Sequence, residues 1–276
     1  MESEIKISDV LAKGYTETSL KTTDENAACC DTTCSTPATW SVATGTSSDE
    51  LKALVKEKYG QIAEQSKTHN ETSCCGSGGS TIDASIMAED YSQLPGYVAD
   101  ADLGLGCGLP TEYAQIKAGD TVIDLGSGAG NDCFVARSVV GTTGKVIGID
   151  MTETMIAKAR QNAEKLGFNN VEFRLGDIEN MPVSDNVANV VVSNCVMNLV
   201  PDKAKAFAET FRVLKPGGHF SISDIVLAGE LPQGLQKAAE MYAGCVSGAV
   251  QKSEYLRIIA ETGFEDIRIQ KEKRIT

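Results

Sequence analysis

The stretch Asp124-Leu-Gly-Ser-Gly-Ala-Gly130 is the most informative in this chain, because it closes a short β-rich run and opens a helical one. Glycines at such a turn let the backbone approach a ligand closely. From Asp120 onward, β-rich runs alternate with helical patterns, which is typical of βαβ units around a parallel sheet. We therefore predict an α/β fold, with a Rossmann-like sheet covered by helices on both faces. The predicted strands are Thr121–Leu125, Val146–Asp150, Val171–Leu175, Asn189–Ser193, His219–Ser223 and Asp266–Gln270.

The spacing of these glycines narrows the choice of ligand. A dinucleotide site reads G-x-G-x-x-G, whereas here Asn131 follows Gly130 and the motif reads G-x-G-x-G after a leading acid. No pyrophosphate needs to be cradled, so the carboxylate of Asp124 can lie near a positively charged ligand group. This pattern favours S-adenosylmethionine, with its sulfonium and amino-acid end, over NAD.

Further acids stand at the ends of the next two predicted strands. Asp150 is placed to accept hydrogen bonds from ribose hydroxyls, while Asp177 and Ile178 are placed for the amino group and the ring face of adenine. Each acid alone could instead be a helix cap. Three acids at successive strand ends favour one shared ligand site. The predicted cofactor-binding residues are Asp124, Gly126, Ser127, Gly128, Asn131, Asp150, Met151, Asp177, Ile178 and Asn194.

Charge and cysteine content limit the partners and the compartment. A net charge of −13 over 276 residues disfavours nucleic acid and anionic membranes, since phosphate binding requires positive charge. The N-terminus shows no basic segment followed by an apolar run, so we expect a cytoplasmic protein and, in the simplest case, a monomer. The nine cysteines should then be reduced and unpaired.

The chain divides into three predicted parts. Residues 1–48, which include Cys29, Cys30 and Cys34, carry too few apolar residues for a core and are predicted to be a disordered tail. Residues 49–110 are predicted to form a lid, consisting of one helix that starts at the capping box Ser47-x-x-Glu50 and loops that carry cysteines. Residues 111–276 form the predicted catalytic domain.

Three single cysteines have settings that suit an acceptor site. Cys195 follows the fourth predicted strand, at the sheet edge where ligands bind in open α/β folds. Cys245 follows the fifth strand in a small, glycine-flanked setting, and Cys107 lies between glycines just before the catalytic domain. The alternative for each is a buried cysteine that only packs, which is the common case. Cys133, in the helix after the glycine motif, is predicted to be such a core residue.

Several motifs resemble the class I methyltransferases, and among them most closely the arsenite methyltransferases. The general resemblance lies in Arg212–Gly218 (RVLKPGG), which matches the turn before the fifth strand of that class. The specific one covers about four-fifths of the chain. It lies in Asp124–Cys133 (DLGSGAGNDC), Val192–Val200 (VSNCVMNLV), Tyr242–Ala249 (YAGCVSGA), Gly106-Cys107-Gly108 and the helix Val55–Gln65.

This resemblance implies methylation of As(III) by S-adenosylmethionine, with arsenite or methylarsenite as substrate. It implies that Cys107, Cys195 and Cys245 bind the arsenic, and that thioredoxin or glutathione supplies reducing thiols. Cys74 or Cys75 would provide a further thiol that cycles through a disulfide. Three thiolates suit a soft ion and leave the arsenic lone pair free as the nucleophile.

The chain departs from the family pattern in two places. It reads Gly-Leu-Gly before Cys107 where some relatives have a tyrosine pair, which puts an aromatic cofactor contact there in doubt. It also ends before the antiparallel strand that normally completes this fold, so we expect a missing or shortened C-terminal segment and an exposed sheet edge. Two rival functions remain, namely a carbon methyltransferase of the ubiquinone/menaquinone-biosynthesis kind and a thiol-based metalloid-binding module without turnover.

Overall fold

The computed structural model describes residues 2–12, 47–65, 89–228 and 248–275. Its strands are β1 (Glu2–Ala12), β2 (Thr121–Leu125), β3 (Lys145–Asp150), β4 (Val171–Leu175), β5 (Ala188–Asn194), β6 (Leu214–Leu227), β7 (Phe264–Glu265) and β8 (Arg268–Ile275). Its α-helices are α1 (Ser48–Ala63), α2 (Pro110–Tyr113), α3 (Asn131–Val140), α4 (Glu153–Lys165), α5 (Lys203–Val213) and α6 (Lys252–Glu261).

Eight strands form one sheet, in the order β4-β3-β2-β5-β6-β1-β7, with β8 also paired to β1. The neighbours from β4 to β6 all run parallel. From β2 the chain first builds outward to β3 and β4, and then returns to the other side of β2 to form β5. This reversal opens a crevice at the carboxyl ends of β2 and β5, where ligands bind in open α/β sheets.

Helices cover both faces of the sheet, as the sequence predicts. Side chains alternate along β2, so that Ile123 and Leu125 pack on the face covered by α5 and α6, while Val122 packs on the face covered by α3 and α4. Each of these three side chains is fully buried. Near-continuous burial along the strand is typical of a parallel sheet enclosed by two layers of helices.

Helix α1 begins at the predicted capping box. The hydroxyl of Ser47 accepts a hydrogen bond from the Glu50 amide at 3.2 Å, and the Glu50 carboxylate accepts one from the Ser47 amide at 2.6 Å. The helix buries Leu51, Val55 and Ile62 against the rest of the chain. Its cap and its apolar face are therefore both fixed by the local sequence.

The N-terminal strand corrects two predictions. Residues 2–12 form β1 and are not part of a disordered tail, while residues 13–46, with Cys29, Cys30 and Cys34, lie outside the described residues. Strand β1 runs antiparallel to β6, from Glu2 opposite Leu227 to Leu11 opposite His219, and it also pairs with β8. The edge of β6 that we expected to be exposed is therefore covered by β1.

Strand β6 is longer than the sequence indicated. It runs from Leu214 to Leu227, whereas the pattern predicted only His219–Ser223. The Pro216-Gly217-Gly218 turn signal lies inside this span, and Gly217 has a positive φ of 78°. Pairing with β5 steps from Leu214 to His219, so residues 215–218 form an irregularity within the strand at the predicted turn signal.

Candidate functional site

A cleft of about 1080 Å³, its open mouth included, lies at the carboxyl ends of β2, β3, β4 and β5. Helix α1 and the loop of residues 101–106 border it from the N-terminal side. All ten residues that the sequence predicted to bind the cofactor line this cleft, and so does Cys195. The structure therefore brings the predicted residues together, and their roles in binding stay predictions.

The glycine motif forms a tight loop at the floor of the cleft. Gly126, Gly128 and Gly130 all have positive φ values, which a residue with a Cβ adopts only with strain. The Gly128 amide donates to Asp150 Oδ2 at 2.9 Å, and the Thr152 amide donates to Asp150 Oδ1 at 2.8 Å. Asp150 therefore holds the loop in place while it faces the cleft.

Buried carboxyl groups crowd one end of the cleft. Burial, followed by the nearby charge of Asp132, raises the pKa of Asp124 well above its usual range. Burial also raises the pKa of Asp132 to about 6, and it raises the pKa of Asp150 although backbone amides partly offset the effect. A cationic ligand would relieve the cost of keeping these groups ionised.

Two buried polar atoms of cleft residues make no hydrogen bond to any residue that the structure describes. Among the described residues, Ser127 Oγ and Asn131 Oδ1 are fully enclosed and make no hydrogen bond. Buried polar atoms are normally satisfied, so such orphans at a cleft wall suit a ligand with its own donors and acceptors. Together with the carboxylates, they fit the polar and positively charged amino-acid portion of S-adenosylmethionine.

The opposite end of the cleft carries an ion-pair cluster that the sequence did not reveal. Lys52 of α1 donates to Asp177 Oδ2 at 2.7 Å and to Glu179 Oε2 at 2.6 Å. Burial lowers the pKa of Lys52, but the two carboxylates outweigh this effect and raise it overall. Asp177, predicted to contact adenine, therefore also anchors α1 across the cleft. No local pattern could have shown this, because Lys52 lies 125 residues from Asp177.

Cys107 and Cys195 meet beside the cleft and form a disulfide, with their Cα atoms 5.8 Å apart. This pair corrects the expectation that every cysteine is unpaired, since the fold places two thiols separated by 88 residues within bonding distance. Both residues are buried, and Leu51 and Val55 of α1 pack in the same apolar cluster. Cys195 takes a left-handed φ of 58°, which marks the sharp turn after β5.

The other predicted thiols have different outcomes. Cys74, Cys75 and Cys245 lie outside the described residues, so their predicted roles are untested. Cys133 is fully buried, as predicted for a core residue. Its thiol also donates to Asp124 Oδ2 at 3.2 Å, which the sequence did not indicate.

A buried hydrogen-bond network joins the cleft to the Cys107 loop. The Tyr91 hydroxyl lies 2.9 Å from Asp132 Oδ2 and 2.9 Å from the Gly108 carbonyl oxygen. The Asn194 side-chain amide donates to the Tyr91 hydroxyl at 2.5 Å and to Gly108 at 2.8 Å. Sequence reasoning missed Tyr91 and Asp132. The acid directly after Asn131 in the glycine motif was the one available signal.

The described part of the chain contains no helix that is both long and apolar enough to cross a bilayer. Within the same residues, no group of three or more His, Cys, Asp or Glu side chains is arranged to hold a metal ion.

Comparison with known proteins adds information on ancestry. A profile of the family described as "Methyltransferase domain" matches residues 116–263, more than half of the chain. The arsenite methyltransferase of Halobacterium salinarum is 43% identical over 235 residues, which cover 80% of this chain and 59% of that protein. The chain spans about three-fifths of the length of the curated arsenite methyltransferases that it matches.

One solved structure and one enzyme of a different specificity are also similar. The crystal structure of an arsenic (III) S-adenosylmethionine methyltransferase from Chlamydomonas reinhardtii is 36% identical, with a TM-score of 0.52, and the match covers 57% of this chain and 55% of that one. The ubiquinone/menaquinone biosynthesis C-methyltransferase of Escherichia coli O1:K1 is 32% identical over 133 residues, which cover 48% of this chain and 52% of that enzyme.

Proposed function

Because the chain belongs to the family of methyltransferase domains, we propose that it transfers methyl groups from S-adenosylmethionine to trivalent arsenic held by cysteine thiolates. The observation that carries this proposal is the meeting of Cys107 and Cys195 beside a cleft lined by every predicted cofactor residue. The similarity to arsenite methyltransferases over 80% of the chain supports the choice of acceptor. Arsenite and methylarsenite are the proposed substrates.

The proposed cofactor site uses residues at both ends of the cleft. Asp124 and the orphaned polar atoms of Ser127 and Asn131 would hold the charged amino-acid end. Asp150 would accept hydrogen bonds from the ribose, and Ile178 would pack on the adenine ring. When bound, the cofactor supplies an electrophilic methyl group on a positively charged sulfur.

The chain's own contribution is to hold the acceptor and to orient it. Thiolates of Cys107 and Cys195, with Cys245 as the proposed third ligand, would bind As(III) and leave its lone pair free. Arsenic is then itself the nucleophile, so alignment of the acceptor matters more than proton transfer. The placement of His219 agrees with this mechanism, because its Nε2 is bonded to the Ala114 carbonyl at 2.7 Å and does not line the cleft.

The disulfide implies a requirement for a reductant. Two thiols can bind arsenic only after the Cys107–Cys195 bond has accepted two electrons and two protons. We propose that glutathione or thioredoxin supplies them, and that Cys74 or Cys75 takes part in this thiol exchange. A cytosolic location, where such reductants are abundant, fits this requirement.

An arsenic speciation assay tests the proposal. Purified protein is incubated with arsenite, S-adenosylmethionine and glutathione, and the arsenic species are then separated and quantified. We expect methylated arsenic from the wild type and none from Cys195→Ser, whereas calorimetry should give nearly equal cofactor affinities for both. Cys34→Ser, in the predicted tail, is the matched control and should keep its activity.

The two rival functions give different results in the same assay. A metalloid-binding module would bind cofactor and arsenite but release no methylated arsenic. A carbon methyltransferase would also leave arsenite unmethylated, and it gives no reason for two cysteines to meet beside the cofactor cleft. Loss of cofactor binding in Cys195→Ser would contradict the assignment of this thiol to the acceptor.

A further inference from the structure

We propose that Tyr91 is a positioning residue that sets Cys107 against Cys195. This inference rests on the proposed function, because it concerns the pair of thiols that would hold the acceptor. Tyr91 is 4% exposed and belongs to the short 3-10 helix Tyr91–Gln93, distant in the chain from both cysteines. Its hydroxyl nevertheless lies at the centre of the network that joins the cofactor cleft to the Cys107 loop.

Asn194 holds the Cys107 loop by direct contact. Asn194 directly precedes Cys195, and its Oδ1 accepts a hydrogen bond from the Cys107 backbone amide at 3.1 Å. The loop also fits closely around this side chain, since a Cβ added at Gly106 would lie 2.6 Å from Asn194 Nδ2. The Asn194 side chain therefore fixes how far Cys107 stands from Cys195.

The neighbours of the Asn194 amide determine which way it points. Its Nδ2 group carries two protons and lies within hydrogen-bond distance of three acceptors, namely the Tyr91 hydroxyl, the Gly108 carbonyl and, at 3.2 Å, Asp132 Oδ2. In the flipped orientation, Oδ1 would face the Asp132 carboxylate and the Gly108 carbonyl, while Nδ2 would face the Cys107 amide donor. Tyr91 and Asp132 thus select the orientation that leaves Oδ1 free for Cys107.

The Tyr91 hydroxyl can both donate and accept a hydrogen bond in this network. Its single proton is best placed on the Asp132 carboxylate, since hydrogen bonds to ionised groups are the stronger ones. Its oxygen then accepts a hydrogen bond from Asn194 Nδ2. The Tyr91 hydroxyl therefore fixes the Asn194 side-chain amide relative to the Asp132 carboxylate. Both Tyr91 and Asp132 line the cleft. The acceptor thiols are therefore tied to the wall of the cofactor site through this hydroxyl.

A redox titration of Tyr91→Phe tests the proposal. Full-length protein is equilibrated with defined ratios of oxidised and reduced glutathione. When the disulfide forms, the two thiols lose two electrons and two protons, and one oxidised glutathione becomes two reduced ones. Free thiols are then alkylated, and the peptides that join Cys107 to Cys195 are quantified by mass spectrometry.

We expect the equilibrium constant for this disulfide to fall about tenfold in Tyr91→Phe, as for loss of one buried hydrogen bond. A tenfold change is about 30 mV toward a more positive potential for a two-electron couple. The matched control is Tyr255→Phe, which removes a buried bond from a tyrosine hydroxyl to Asp224 at 2.9 Å. Tyr255 packs on the other face of the sheet from the disulfide. In Tyr255→Phe the equilibrium constant of the Cys107–Cys195 disulfide should therefore stay within twofold of the wild-type value.

Two results would overturn the proposal, namely an unchanged constant in Tyr91→Phe or an equal fall in Tyr255→Phe. If Tyr91→Phe does not fold, the same redox titration of Asn194→Asp tests the proposal. This variant keeps an acceptor for the Cys107 amide but loses the donor to the Tyr91 hydroxyl. We expect the same fall there, and an unchanged constant would refute the idea. The titration uses neither arsenic nor a methyl donor. Its outcome is therefore independent of whether the protein methylates arsenic.

Discussion

The ion pairs of Lys52 predict that replacing this residue by methionine releases helix α1 from the cleft. Lys52 bonds Asp177, whose side chain is 36% exposed, and Glu179, whose side chain is 6% exposed. The exposed pair contributes little, at most about 1 kcal/mol. The buried hydrogen bond to Glu179 is of the charged kind, and its loss costs about 1.5–3 kcal/mol. Together these contacts should stabilise the docked helix by about 2–3 kcal/mol.

Hydrogen exchange followed by mass spectrometry measures this effect directly. In Lys52→Met, amides of Ser48–Ala63 should exchange roughly 30- to 150-fold faster, the factor that corresponds to 2–3 kcal/mol. Lys56→Met is the matched control, because Lys56 is exposed on the same helix and has the same side-chain type. Unchanged exchange of α1 in Lys52→Met, or equally fast exchange in Lys56→Met, would refute the reasoning.

Two further predictions concern the carboxylates of the cleft. Asp150→Ala should weaken S-adenosylmethionine binding by about 1.5–3 kcal/mol in calorimetry, as for loss of a charged hydrogen-bonding group, and equal affinity would remove Asp150 from the site. The pKa of Asp132 rises from 3.8 to about 6 on folding, because burial disfavours the ionised carboxylate. The folded state therefore binds the proton more tightly than the unfolded state does. The stability gained in this way is fully present below pH 3.8 and is lost as the pH rises through 6. Asp132→Asn removes this titration, so the unfolding free energy of the variant should gain about 2 kcal/mol relative to wild type between pH 4 and pH 7 without cofactor, and parallel curves would contradict this.

The sequence predicted the central sheet and the cofactor cleft because both depend on local signals. The glycine motif and the strand-end acids each occur within a few residues, and the parallel topology then brings the strand ends together. Helix α1 was predictable for the same reason, since its capping box lies between Ser47 and Glu50. Local chemistry and tertiary packing agree at these positions.

The features that the sequence did not reveal depend on contacts between distant segments. In the sequence, Lys52 is one of several charged residues on an amphipathic helix. Its ion pairs with Asp177 and Glu179 exist only because the fold places these residues opposite it. In the sequence, Tyr91 is an aromatic residue in a predicted loop. Its hydrogen bonds with Asn194 and Asp132 depend on residues that are distant in the chain. Cys107 and Cys195 were predicted to converge, but as free thiols. That expectation came from the reducing conditions of the cytoplasm, which say nothing about how close two thiols lie in the fold.

Strand β1 has a consequence for the order in which the molecule assembles. Its partners, His219–Leu227 and Arg268–Ile275, are synthesised more than 200 residues later. Strand β1 is therefore made before both of its partners and cannot pair until they have been synthesised, and such long-range pairing is slow. During that interval β1 is the strand without a partner, and its free backbone groups are open to other nascent chains, so co-translational aggregation should depend on how soon β6 emerges.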